Sequence, residues 1–145
     1  MTIDFEDWAW NPPFVRCKNK KREEDIQWMR TEFLNRSVDE LKRAEILSQS
    51  LFKRSIPQIL LLHIGDFDSV MLKELIQAYK AAGVEFISMS EALKDEVYQI
   101  DTGMIADVGS EITYQILKSR NLKLEDVGLS KRDNTVYKKL EQACL

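Results

Sequence analysis

The chain has 145 residues, 44% of them hydrophobic and 31% charged, which suits one ordinary core and argues against a disordered segment. A formal net charge of −3 argues against a protein that holds nucleic acid by neutralising phosphates, and no apolar run is long enough to span a bilayer. Cys17 and Cys144 lie near opposite ends of the sequence, which suggests neither a metal-ligand pair nor a disulfide framework.

Thr2-Ile3-Asp4-Phe5 alternates polar and apolar residues as a half-buried strand does, and it leads into the aromatic Trp8-Ala9-Trp10. Asn11-Pro12-Pro13 is expected to leave any strand or helix, because two prolines remove two backbone donors. A strand at the first residue reads as cut from something longer, since termini fray unless a neighbour ties them down. Met1 is followed by no charged and apolar pair of regions of the export type.

The basic cluster Lys18 to Arg22, followed directly by Glu23, Glu24 and Asp25, reads as the solvated start of a helix. From about Lys20 to Phe52 the pattern is helical, with Ile26, Met29 and Phe33 on one stripe and Leu41, Ala44, Leu47 and Leu51 resuming it. The capping-box spacing from Ser37 to Glu40 offers a break, but the stripe resumes at about the same angle and predicts one long or kinked helix.

The stretch from Ile56 to Tyr98 carries the clearest organisation. Ile56 to His63 is a leucine-rich run expected to form a strand buried on both faces, with the only histidine at its C-terminal end. Asp66-Phe67-Asp68-Ser69 supplies caps for a helix through Val70, Met71, Leu72, Leu75, Ile76 and Tyr79 up to Gly83. Val84 to Met89 predicts a second strand, and Ser90 a cap for a short helix. Strand, helix and strand together predict an α/β fold, a sheet with packed helices whose strand ends gather a site. Beyond Tyr98 the pattern is a helical extension over 101–145. One helix is expected around Ile112, Ile116 and Leu117, and another around Val136, Leu140 and Ala143, opened by Ser130 and Asp133.

His63 reads either as a general acid or base or as an ordinary histidine satisfied by backbone groups. Asp4 and Asp7 could be paired carboxylates, although opposite parity on a strand points them to different faces, and turn chemistry fits them as well. Trp8 and Trp10 share parity and could form an aromatic wall or plain core. The chain has no glycine-rich phosphate loop, nucleophile elbow or Cys/His dyad, and one histidine alone completes no His-rich metal site.

The run Leu60-Leu61-Leu62-His63-Ile64-Gly65-Asp66-Phe67-Asp68, the helix ending Tyr79 to Gly83 and the segment Val84 to Tyr98 resemble the C-terminal region of metal-dependent polysaccharide deacetylases of the NodB homology type. The opening Asp4-Phe5-Glu6-Asp7-Trp8 is similar to that family's Asp-x-x-Asp-Trp motif, and His63 to its Leu-x-His motif. The resemblance covers roughly the first hundred residues and implies half of a distorted β/α barrel, with parallel strands and packed helices. It implies His63 as the acid that protonates the leaving amine, Trp8 and Leu61 as walls of the substrate groove, and Asp4 or Asp7 as a carboxylate that tunes the site. Amide cleavage needs such a donor independently of any family.

The family's Thr-Phe-Asp-Asp, His-x-x-x-His and Arg-x-Pro motifs are missing, so the resemblance implies zinc or another divalent metal for a full-length member and no metal ligands in this chain. The expectation is the C-terminal part of a deacetylase acting on an N-acetylated glycan or related amide, inactive alone and homodimeric. Family members are often periplasmic or secreted. The alternative is a non-catalytic α/β interaction module derived from a deacetylase. A stand-alone enzyme using His63 with Asp66 or Asp68 lacks a nucleophile or metal site.

Overall fold

A computed structural model describes residues 1–105 and 110–145. Six α-helices lie among them: α1 (Asn11–Asn19), α2 (Glu23–Phe52), α3 (Asp66–Ala81), α4 (Met89–Ala92), α5 (Ile112–Ser119) and α6 (Thr135–Gln142). Helix α2 runs without a break through Ser37, whose hydroxyl donates to the Leu34 carbonyl at 2.9 Å instead of capping a new helix. Pro12 and Pro13 do not end a helix; they sit in the first turn of α1, where a missing N–H costs nothing.

The expected half of a β/α barrel does not form. Among the described residues the strand-like pairing amounts to one isolated parallel bridge, Ile3 with Leu60. The N–H groups of Thr2 and Ile3 donate to the Ile59 carbonyl at 2.9 and 3.2 Å, and that of Leu61 to the Ile3 carbonyl at 3.0 Å. Ile59 to Leu62 are half-buried, not covered on both faces. The segment predicted as the second strand joins no ladder, and Phe86 and Ile87 stand exposed. Its first residue closes α3 instead, the Val84 N–H donating to the Tyr79 carbonyl at 3.0 Å behind Gly83 at φ +85°. The physical reason is that alternation and β-branched content report an extended backbone and its burial, while a strand also needs a neighbour to satisfy its N–H and C=O groups.

The chain divides into two compact units, one of Met1–Asp4, Glu40–Leu61 and Phe86–Lys131 and one of Phe5–Asp39, Leu62–Glu85 and Arg132–Leu145. The first has a core of Leu47, Leu51, Ile56, Val97, Ile116, Leu117, Val127 and Leu129. Arg54 clamps Asp95 through two hydrogen bonds of 2.7 Å, and these bonds hold the Asp95 carboxyl below its usual range.

The second unit is built on aromatic rings. Phe33 of α2 meets Phe5, Trp10 and Phe67 edge-on with centroids 5.1, 5.5 and 5.3 Å away, and Trp10 stacks on Phe67 at 6.0 Å. Met29, Met71 and Leu75 are buried in the same unit. The two cysteines, whose placement suggests neither a metal-ligand pair nor a disulfide framework, form a disulfide with Cα atoms 5.2 Å apart. Sequence separation hid this, because distance along the chain says nothing about distance in the fold. Replacing Phe33 by alanine removes the ring shared by all three edge contacts and should cost about 3–5 kcal/mol in urea unfolding. A loss under about 1 kcal/mol would show that this cluster is not the core of its unit.

Candidate functional site

The site starts from a tight turn. Residues Asp7–Trp10 form one turn of 3-10 helix, entered through Glu6 at φ 56°, a left-handed conformation that a non-glycine residue rarely takes. This turn runs into α1 and sets Asp7 and Asn11 one helical turn apart. Both reach the segment leading into α3. The Asp7 carboxylate accepts the His63 backbone N–H at 2.6 Å through Oδ2 and faces His63 Nδ1 at 2.8 Å through Oδ1. Asn11 Oδ1 accepts the Phe67 N–H at 3.1 Å and so caps α3 from outside, since the N-cap residue Gly65 has no side chain to do it.

Asp7 is wholly buried, whereas the His63 side chain is 45% exposed. A buried carboxylate that accepts a backbone N–H is an acceptor for the ring as well, which assigns the Nδ1 proton to the His63–Asp7 contact. With Nδ1 turned to Asp7, Nε2 lies on the opposite edge of the imidazole.

Asp68, in the first turn of α3, completes the cluster. Both its oxygens are buried with no N–H donor to them, and its pKa is pushed up from 3.8 to about 7. Burial is the largest cause, followed by the charge of Asp7 and a hydrogen bond to it, which can form only when one of the two carboxyls holds a proton. A Cβ on Gly65 would lie 2.9 Å from Asp68 Oδ2 and 3.1 Å from the Asn11 amide, so a side chain there would push these two groups aside. A cavity of about 250 Å³ opens here, lined by Phe33, Leu62, His63, Asp68, Leu72 and Leu75 among others. An apolar pocket holding a carboxyl that titrates near neutrality and a histidine oriented by a second carboxylate is equipped to move protons.

Of the residues singled out in the sequence, Asp7 and His63 come together. Trp8 lines a different cavity, of about 500 Å³, with Pro12, Pro13, Tyr137 and Leu140. Trp8 and Trp10 form no common wall. In a 3-10 turn, residues two apart point in different directions, which leaves Trp8 55% exposed and Trp10 fully buried. Leu61 and Asp4 are half-buried members of the other unit, and the residue next to His63 that lines its pocket is Leu62. Asn11 and Gly65 were missed as site residues. Asp68 was read as a helix cap and weighed beside His63 as one of two carboxylates, and the one available signal for Asn11 was the equal spacing of Asp7 to Asn11 and His63 to Phe67.

The zinc implied by the resemblance does not fit the residues present. Among the described residues one Cys/His/Asp/Glu group gathers possible ligand atoms within 4.8 Å, Cys17, Asp25 and Cys144, and its sulfurs are bonded to each other. At His63 the Nδ1 nitrogen is given to Asp7. No family model, curated protein or solved structure matches the chain.

Because its native pKa is raised, Asp68 keeps its proton between pH 3.8 and about 7, where the unfolded chain has released it. Stability should fall as pH rises through that window and level off above it. Asp68→Asn removes the titration, so the variant should gain on the natural chain by roughly 1–2 kcal/mol between about pH 5 and pH 8 in urea unfolding, allowing for solvent in the pocket. Parallel pH profiles for the two proteins would contradict the raised pKa.

Proposed function

We propose that this chain supplies the proton-donating part of a hydrolase that removes acyl groups from amide nitrogen, as the C-terminal part of a polysaccharide deacetylase acting on an N-acetylated glycan or related amide. The observation that carries the reading is the 2.8 Å contact of His63 Nδ1 with the buried Asp7, at the rim of a pocket that also holds Asp68.

Amide cleavage stalls unless the expelled nitrogen receives a proton as the C–N bond breaks. His63 in its cationic form offers that proton from Nε2, while Asp7 fixes the ring and stabilises its charge. Asp68 gives the pocket a second exchangeable proton near neutral pH. The resemblance implies that the base and metal ligands belong to motifs this sequence lacks, so the chain alone lacks the groups that activate water. Exposed Phe86, Ile87, Met89 and Leu93 support association with a further chain, and the reading includes a homodimer.

N-acetylated chito-oligosaccharides added to the labelled chain should shift the amide NMR signals of His63, Gly65 and Asp68, with no acetate released even when zinc or cobalt is supplied. No shift at these residues would contradict the substrate class. Acetate release that vanishes in His63→Ala would contradict the need for another part. Light scattering at micromolar concentration should give a dimer, and a monomer would remove the homodimer from the reading.

A further inference from the structure

The segment Thr135–Cys144 forms one side of the Trp8 cavity, with Tyr137, Lys138, Leu140 and Glu141 facing Trp8, Pro12 and Pro13. Side-chain contacts hold it there, among them the Tyr137 ring, which meets Trp10 edge-on at 6.5 Å and lies under the Arg36 guanidinium at 5.4 Å. Leu140 is the one fully buried apolar residue of α6, and an eight-residue helix is marginal without tertiary support. Arg16 of α1 donates to the carbonyls of Leu140, Glu141 and Ala143 at 3.2, 3.2 and 3.1 Å, satisfying the helix end. Lys139 lies over the Trp28 ring at 3.9 Å, and the Tyr137 hydroxyl donates to the Phe5 carbonyl. The one covalent tie is Cys17–Cys144. Its two sulfurs differ in access, because Cys17 is fully buried and Cys144 is partly exposed.

We propose that Cys17–Cys144 is a redox latch: oxidised, it holds Thr135–Cys144 against α1, and reduced by an external dithiol it releases this segment and opens the Trp8 cavity. The reductant's thiolate attacks Cys144 Sγ, the S–S bond breaks, and Cys17 leaves as a thiolate that takes a proton. The second thiol of the reductant then displaces Cys144 from the mixed disulfide. The chain gains two electrons and two protons, and the dithiol becomes a disulfide. What remains on α6 is noncovalent and includes the partly buried Arg16 and Tyr137 contacts, and opening there breaks fewer interactions than unfolding the aromatic core. The inference stands apart from the proposed deacetylase chemistry, since His63 lines a different cavity.

The test is limited trypsin digestion of the full chain, oxidised and after treatment with dithiothreitol, with cleavage mapped by mass spectrometry. Lys138 and Lys139 report on α6, and Lys73 and Lys80 on α3. Reduction should speed cleavage at Lys138 and Lys139 by about ten-fold or more and leave α3 protected, and Cys144→Ser should give the reduced pattern without any reductant. Equal acceleration in α3 and α6 would overturn the latch, because the bond would then be a global staple. Unchanged cleavage at α6 in either the reduced chain or the variant, or a bond that dithiothreitol leaves intact in the native protein, would overturn it as well.

Discussion

A single buried carboxylate organises the candidate site. Asp7 is removed from water, a position that costs several kcal/mol for an unpartnered charge, and it is held there by two N–H groups of one residue, His63. The backbone bond fixes where the chain passes and the ring contact fixes how the imidazole lies. One turn later Asn11 repeats the grip on Phe67, so the Asp7 turn and α1 set the start of α3 through two matched contacts. The aromatic cluster of Phe5, Trp10, Phe33 and Phe67 supplies the rigid backing, with Phe5 and Trp10 flanking Asp7 in sequence and Phe67 following His63.

The chemistry follows from that constraint. The contact with Asp7 fixes the ring by Nδ1, and burying Asp68 beside Asp7 moves a proton into the neutral range. Two aspartates at one histidine thereby take different roles through environment alone, one orienting the ring and the other titrating, which is how proton-transfer sites divide labour. Gly65 leaves room for this arrangement, since a side chain there would press on both Asp68 and Asn11.

Much of the helical content was legible in residue patterns, and the reason is locality. The stripe from Ile26 to Leu51 reports α2, and the Val70 to Tyr79 periodicity reports α3, because an α-helix satisfies its own backbone. The strand expectations failed for the converse reason: Thr2–Phe5, Ile56–His63 and Val84–Met89 carry the right residues, but a strand is defined by its partner, and the bridge between Ile3 and Leu60 is as far as pairing goes among the described residues. At the site, His63 and Asp7 could be singled out as chemistry-bearing residues. Asp68 was weighed beside His63 only together with Asp66, and its raised pKa was not legible because it depends on burial against Asp7, a contact between residues far apart in the chain. The Cys17–Cys144 bond was hidden for the same reason.

The account depends on Asp7 setting the state of the His63 ring, and nitrogen-15 NMR of the imidazole in alkaline solution measures that state directly. A neutral histidine in water prefers its proton on Nε2. The account predicts that His63 carries it on Nδ1, toward Asp7, and reverts to the Nε2–H form in Asp7→Ala while its helices persist. An Nε2–H ring in the natural chain, or the same tautomer in both proteins, would contradict it.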